Sequence, residues 1–125
     1  MRLVLDTSII IELERKNKAI EMQIEDLRKI HPFPPQISFY TYFEFLEGIV
    51  KKSDKNKLRS QQFISLFEIL QTSSATANHL VLLKQKYALP IPDLFIAAQV
   101  METNAVLVTK DKDFEQIKEI QKIIL

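Results

Sequence analysis

Residues 3–8 read Leu3-Val4-Leu5-Asp6-Thr7-Ser8, a short apolar run that ends in an acid and two hydroxyl residues. Such a run is typical of a buried parallel strand that leads directly into a helix. A similar run, Val106-Leu107-Val108-Thr109-Lys110-Asp111, lies near the other end of the chain. Because the functional crevice of an open α/β sheet lies at the carboxyl ends of its strands, we expect Asp6 and Asp111 to lie close together there.

Most of the chain between these two runs has the 3.6-residue apolar period of surface helices. The proline-rich stretch 31–35 ends the first long helix, since proline cannot donate a backbone hydrogen bond and disfavours helical geometry in the residue before it. After it we predict a brief strand at Ile37, a helix from the N-cap Ser38 towards Val50, and a polar loop over 51–57. A helical stripe of Phe63, Phe67 and Leu70 follows, with a helix-to-strand step near 68–72. The last predicted elements are helices over roughly 75–88 and 93–103 and an edge strand or tail over 120–125.

Strands that alternate with helices predict an α/β fold. We expect three layers, with a central, mainly parallel, twisted sheet flanked by helices and joined by right-handed crossovers. The length of 125 residues is enough to bury one core but not two, so residues 1–125 are expected to form a single domain.

Composition excludes several classes of protein. Apolar residues make up 46% of the chain and charged residues 26%, which is close to the average for soluble globular proteins. The net charge of +1 gives no broad basic excess, so nucleic-acid binding requires a local basic patch. The absence of cysteine excludes disulfides and sulfur-ligated zinc. No membrane-spanning run occurs, and the early acid Asp6 argues against a secretory segment, so we expect a cytoplasmic protein without membrane partners.

Four acids stand where chemistry is expected: Asp6, Glu44, Asp93 and Asp111. Asp6 and Asp111 follow strands, and Asp93 opens an apolar helix directly after a proline. N-capping of a helix is the structural alternative for both Asp6 and Asp93. A second acid, Asp113, lies two residues beyond Asp111. Acids gathered in one place without basic partners require a cation.

Glu44 is the hardest of these acids to explain structurally. It lies in a helix crowded with apolar side chains from Phe39 to Leu46, where an unpaired charge is costly to bury. Lys51 could fold back as its partner, or a metal ion could take that role. Gly48 lies one turn later on the same face. It is either a tolerated helix glycine or a source of clearance beside the carboxylate.

Carboxylate oxygens are hard ligands that suit Mg²⁺ or Mn²⁺. His31 and His79 occur in unrelated contexts and are expected to be structural or surface residues. Two divalent ions about 4 Å apart can activate a water molecule and stabilise the leaving oxygen of a phosphodiester. A hydrolase of this kind needs no nucleophilic side chain.

With these motifs the sequence resembles the PIN-domain family, specifically the small VapC-type toxin ribonucleases of prokaryotic toxin–antitoxin pairs. The resemblance covers essentially the whole chain and is carried by four segments, which are Leu5 to Ser8, Ser38 to Glu44 with Gly48, Pro92 to Ala98, and Thr109 to Phe114.

The resemblance implies a divalent-metal-dependent endoribonuclease that hydrolyses RNA phosphodiester bonds with a metal-activated water. It implies that Asp6, Glu44, Asp93 and Asp111 are catalytic and bind one or two Mg²⁺ or Mn²⁺ ions. Four further residues would be auxiliary, namely Thr7, Ser8, Thr109 and Asp113. It also implies a homodimer and an antitoxin protein whose segment lies across the active-site groove and holds the nuclease in check.

A local run of basic residues provides the patch that the net charge hides. Its members are candidates for RNA contact: Lys51, Lys52, Lys55, Lys57 and Arg59. The alternative is a solvated loop. The aromatic helix from Phe39 to Phe45 carries more apolar surface than one core can absorb, which indicates a partner interface.

Two other functions compete with the nuclease. A phosphate-handling α/β domain could use Asp6 as a nucleophile or phosphoacceptor. The further acids that such domains need are absent, including one at the position of Ser8. The other is a noncatalytic PIN-like binding module that uses the acids for a structural ion and the aromatic helix for a partner.

Overall fold

A computed structural model describes residues 1–125 as five strands, six α-helices and one 3-10 helix. The strands are β1 (Leu3–Leu5), β2 (Gln36–Ile37), β3 (Glu68–Ile69), β4 (Val106–Thr109) and β5 (Gln121–Ile124). The helices are α1 (Thr7–Glu14), α2 (Lys18–Ile30), α3 (Phe39–Val50), α4 (Asp54–Ile64), α5 (Ser74–Lys86), α6 (Ile91–Thr103) and the 3-10 helix Lys112–Gln116. No helix combines the length and the apolar character needed to cross a bilayer.

The five strands form one sheet in the order β3-β2-β1-β4-β5, and every neighbouring pair is parallel. Strand β1 lies at the centre, with Leu3 opposite Val106 and Leu5 opposite Val108 in β4. The carboxyl ends of β1 and β4 therefore lie side by side. Because Asp6 follows β1 and Asp111 follows β4 by two residues, the register brings these two acids to the same edge of the sheet.

Both faces of the sheet are buried, since side chains of a strand alternate between the two faces. Val4 packs on one side with residues of α5 and α6 such as Leu83 and Leu94. Leu3 and Leu5 pack on the other side with residues of α1, α2 and α3. The fold is thus the three-layer α/β arrangement predicted from the sequence.

Two helix starts follow the capping rules that the sequence predicted. The side chain of Asp6 accepts a hydrogen bond from the backbone N–H of Thr7 at the start of α1. The hydroxyl of Ser38 accepts one from the N–H of Tyr40 at the start of α3. Ser38 also donates to the buried side chain of Gln99, which ties α3 to α6. The capping role of Asp6 is compatible with a site role, because the cap bond uses only one of its two oxygens.

Three predictions about the helices were wrong. The stretch 51–57 is not one loop, since α4 begins at Asp54. Phe67 is not helical, because α4 ends at Ile64 and the chain then enters β3. Asp93 does not cap its helix, since the N-cap of α6 is Pro90 and Asp93 lies within the first turn.

Candidate functional site

The four predicted acids line one cleft at the carboxyl edge of the sheet. Asp6, Glu44, Asp93 and Asp111 surround a volume of about 270 Å³, together with side chains that include Thr7 and Ser8. They come from four separate elements: the end of β1, the middle of α3, the first turn of α6 and the loop after β4. This acidic cleft brings together residues up to 105 positions apart, from 6 to 111.

Asp6 is the most buried of the four acids, with 5% of its surface exposed. Its two oxygens accept hydrogen bonds from the N–H of Thr7 (2.7 Å), the hydroxyl of Ser8 (3.0 Å) and the hydroxyl of Thr109 (2.6 Å). Burial raises the pKa of Asp6, while the hydrogen bonds from Thr109, Thr7 and Ser8 counteract part of that effect. All three donors are neutral, so they fix the orientation of the carboxylate without cancelling its charge.

Glu44 is held by hydroxyl groups rather than by a cation. Thr7 Oγ1 donates to Glu44 Oε1 at 2.9 Å, and Thr7 Oγ1 also lies 3.0 Å from Thr41 Oγ1. Burial raises the pKa of Glu44, the bond from Thr7 opposes this, and the nearby charge of Asp6 adds to it. The alternative prediction, that Lys51 folds back as the partner of Glu44, was wrong, because Glu44 forms no ion pair with Lys51 and accepts a hydrogen bond from Thr7 instead. Thr41 was missed, although its position three residues before Glu44 places both on one helix face.

Asp93, Asp111 and Asp113 form the part of the cleft where carboxylates converge. One oxygen from each lies within 4.8 Å of the others. Asp111 accepts a hydrogen bond from the N–H of Asp113 (2.9 Å), and its own N–H donates to Thr109 (2.9 Å). Burial first, and then the charges of Asp111 and Asp6, raise the pKa of Asp93 to about 6. Asp113 is exposed and does not line the cleft itself.

No lysine, arginine or histidine nitrogen lies within 4.0 Å of a carboxylate oxygen of these five acids. The pKa of Asp93 is raised first by burial and then by repulsion from the like charges of the other acids in this partly buried cleft. The donor set consists of hard carboxylate oxygens with no sulfur or imidazole, and this is the chemistry that suits Mg²⁺ or Mn²⁺. The residues present therefore fit a divalent ion.

The five predicted basic residues separate into two groups. Lys52 and Arg59 line a cavity of about 560 Å³ beside α1 and α4, which is larger than the acidic cleft. Lys51, Lys55 and Lys57 do not line that cavity. Two other cations, Arg15 and Lys16, do line it and were missed by the sequence interpretation.

The model of the PIN domain family matches residues 3–120 of the chain. Several solved structures are similar over nearly their whole length. VapBC2 from Rickettsia felis bound to a DNA fragment from its promoter is 24% identical, with a TM-score of 0.84 and coverage of 100% of this chain and 99% of the other. A toxin–antitoxin complex from Klebsiella pneumoniae is 28% identical, with a TM-score of 0.79 and coverage of 94% of both chains.

VapBC-1 from nontypeable Haemophilus influenzae is 26% identical, with a TM-score of 0.78 and coverage of 99% of this chain and 98% of the other. No curated protein sequence matches the chain.

Proposed function

The chain belongs to the PIN domain family, and from this premise we propose that it is a VapC-type toxin, a divalent-metal-dependent endoribonuclease that an antitoxin holds in check. Residues 1–125 act as one domain. Its substrate is RNA, and its cofactor is Mg²⁺ or Mn²⁺. The proposal is supported by the family match and by the similarity to solved VapBC structures.

One observation carries the enzymatic part of this proposal. Four carboxylates from four distant segments line one cleft, and no cation of the protein lies within 4.0 Å of them. Carboxylates placed this way destabilise the fold when they have no counter-charge, as the raised pKa of Asp93 indicates. A bound divalent ion would supply that counter-charge, activate a water molecule and stabilise the leaving oxygen of the phosphodiester.

The side chains of the cleft have distinct roles in this proposal. Asp93 and Asp111 hold the ion, with Asp113 at the rim. Asp6 keeps one orientation because Thr7, Ser8 and Thr109 all donate to it. Glu44 is oriented by Thr7, which joins the α1 and α3 sides of the site. Such outer hydrogen bonds fix the direction in which a ligand presents its lone pairs.

The partners are a second copy of the chain and an antitoxin. One stripe of α3 exposes Phe39, Phe43, Leu46 and Val50, which are 43%, 46%, 37% and 72% exposed. Their spacing of four, three and four residues places them on one helix face. Contiguous exposed apolar surface marks interaction sites, and we assign this stripe to the dimer interface. The antitoxin segment lies across the active-site groove.

Exchange of Phe43 for glutamate is expected to convert a dimer to a monomer, as measured by light scattering on a sizing column. Val81→Glu is the matched control, because Val81 is an exposed apolar residue on α5, away from the stripe. A Phe43→Glu protein that remains dimeric excludes this interface.

The nuclease proposal is tested by cleavage of a labelled, mostly unstructured RNA with Mg²⁺, Mn²⁺ or EDTA. The Asp6→Asn and Asp93→Asn proteins are prepared identically. Both are expected to remain folded, because the substitution relieves repulsion, and to lose cleavage. Cleavage by Asp93→Asn at the normal rate contradicts the assignment. Failure of the normal protein to cleave RNA or to bind either metal favours the noncatalytic binding module, which would use the α3 stripe for its partner.

A further inference from the structure

A row of three adjoining cavities, which we name the groove, leads from the acidic cleft to a cluster of cations. We name this cluster the basic mouth and define it as Arg15, Lys16, Lys52 and Arg59. We propose that the RNA strand follows this groove between α1 and α3, and that its phosphate groups bind the basic mouth. The choice of RNA as the ligand rests on the proposed nuclease function. The groove itself is defined by the positions of its lining residues.

The three cavities adjoin because neighbouring ones share lining residues. The acidic cleft and the middle cavity, of about 280 Å³, are both lined by Thr7, Ile11 and Glu44. The middle cavity and the cavity of the basic mouth are both lined by Glu14 and Lys52. The three cavities therefore lie in a row from the acids to the cations, and the ion pair of Lys52 with Glu14 lies where the second and third cavities meet.

The two ends of the groove are separated by a short distance along α3. Glu44 lies at one end and Lys52 lies eight residues later, in the turn that follows the helix. At 1.5 Å of rise per residue this corresponds to about 12 Å. A strand with one phosphodiester in the acidic cleft therefore carries neighbouring phosphates into the basic mouth.

The basic mouth holds a surplus of positive charge, and two of its four cations have no ion-pair partner. Lys16 and Arg59 form no ion pair, and Arg15 is 73% exposed with Glu12 no closer than 4.0 Å. Lys52 forms an ion pair with Glu14 at 3.1 Å. Glu14 is the one carboxylate among the residues that line this cavity, so its charge is neutralised. Free cations beside a groove are what a phosphate backbone requires.

One backbone feature favours a role for the groove. The φ of 61° at Lys16 does not count towards it, because the N–H groups of Lys16 and Asn17 bond back to Leu13 and Glu12 and so end α1 in the usual left-handed turn. Glycine adopts this conformation at less cost than lysine does. Gly48 lines the middle cavity, and an added Cβ would meet no atom within 4 Å. Packing does not require glycine there, and its lack of a side chain leaves the middle cavity open.

Binding of a short labelled oligouridylate in EDTA, followed by fluorescence anisotropy, tests the basic mouth without any metal-dependent step. Arg59→Gln and Lys16→Gly are each expected to weaken binding about three- to tenfold. Each is also expected to lower the slope of log K against log salt by about 0.7, the value for one phosphate contact on a single strand. Lys84→Gln is the matched control, because it removes an exposed, unpaired charge from α5, outside the groove. Equal slopes for Arg59→Gln and Lys84→Gln overturn the proposal.

A bulky side chain at position 48 tests whether the RNA path runs through the middle cavity, which Gly48 lines. Gly48→Leu is expected to weaken oligouridylate binding at least as much as Arg59→Gln, while thermal stability does not fall, because leucine favours helix more than glycine does. Binding of Gly48→Leu at the normal affinity overturns the path through the middle cavity. An acidic peptide that binds better than oligouridylate, and that loses affinity with Arg59→Gln, overturns the choice of RNA as the ligand.

These results separate the two proposals. If the normal protein cleaves RNA with metal and the salt slope of Arg59→Gln is unchanged, the nuclease proposal is supported and the proposed RNA path is wrong. If Arg59→Gln lowers the salt slope but the normal protein cleaves no RNA with Mg²⁺ or Mn²⁺, the proposed RNA path is supported and the nuclease proposal is wrong.

Discussion

The two ends of the groove hold opposite charges in opposite ways. In the acidic cleft, short side chains are partly or fully buried, and a network of hydroxyl and backbone donors fixes Asp6 and Glu44. In the basic mouth, the long side chains of Lys16 and Arg59 are exposed and form no ion pair. Bond cleavage requires groups held within a fraction of an ångström, whereas binding of a polyanion requires only charge at the correct distance.

Loss of an acid from the cleft should slow RNA cleavage more than any other single substitution. Asp111 lines the cleft and is half-buried, whereas Asp113 is exposed at its rim. Asp111→Asn is expected to reduce the rate of RNA cleavage by at least about 100-fold, because the substitution removes a charge from the donor set while its amide oxygen can still cap the 3-10 helix. Asp113→Asn is expected to reduce the rate less. Steady-state cleavage with Mg²⁺ measures both.

Retained far-UV circular dichroism of both variants is the control for folding. Equal losses in Asp111→Asn and Asp113→Asn would mean that burial does not separate the two acids. A larger loss in Asp113→Asn would reverse the assignment.

The next effect in size tests whether the hydroxyl network orients the acids. Thr7→Val removes the donor to Glu44 and is expected to slow cleavage about 10- to 100-fold, the usual range for loss of a group that orients a metal ligand. Thr7→Ser keeps the hydroxyl and is expected to keep most of the rate. Normal cleavage by Thr7→Val would show that Glu44 needs no orientation.

The position of the acids was predictable because each follows a recognisable local pattern. Asp6 and Asp111 follow apolar strands, and parallel strands of one sheet bring their carboxyl ends to the same edge. Glu44 was identified by its conflict with apolar neighbours. The hydrogen bonds that orient these acids were harder to predict, because the bond from Thr7 to Glu44 joins positions 37 residues apart. No local pattern specifies such a pair.

The basic mouth was only half predictable for a related reason. Lys52 and Arg59 stand in one run of sequence, but Arg15 and Lys16 join them only through the packing of α1 beside α4. The start of α4 was missed because its first turn is polar throughout, and Ser53 precedes it without a side-chain cap bond. In sequence such a turn resembles a solvated loop, since the apolar period of α4 begins only after its first turn.

A smaller effect concerns the stability of the acidic cleft without metal. The pKa of Asp93 is about 6 in the folded protein, against an ordinary value of 3.8 for an aspartate, so the folded state favours the protonated form. The penalty for its charge is absent below about pH 4, grows between pH 4 and 6, and is complete above pH 6. In EDTA at pH 7, Asp93→Asn should therefore be more stable than the normal protein and melt at a higher temperature. The gain is at most about 1 kcal/mol, because solvent screens this half-exposed group.

Added Mg²⁺ or Mn²⁺ is expected to reverse that order, because an ion that binds only the folded state stabilises the protein that retains its ligand. At pH 4 in EDTA the two melting temperatures should converge. Thermal melts at pH 4 and pH 7, each with and without metal, measure all of these changes. A lower melting temperature for Asp93→Asn in EDTA at pH 7 would show that Asp93 has a stabilising partner in the metal-free fold.

The smallest expected effect lies midway between the two ends of the groove. Gly48→Ala should raise the free energy of unfolding by about 0.5–1 kcal/mol, because alanine favours an exposed helix position and its methyl group meets no neighbour within 4 Å. Chemical denaturation measures this gain. The same methyl group narrows the middle cavity only slightly, so oligouridylate binding should fall less than in Gly48→Leu. If the affinity for oligouridylate falls slightly in Gly48→Ala and further in Gly48→Leu, the open space at position 48 serves the ligand at a cost in helix stability. A loss of stability in Gly48→Ala would instead indicate that the glycine serves the fold.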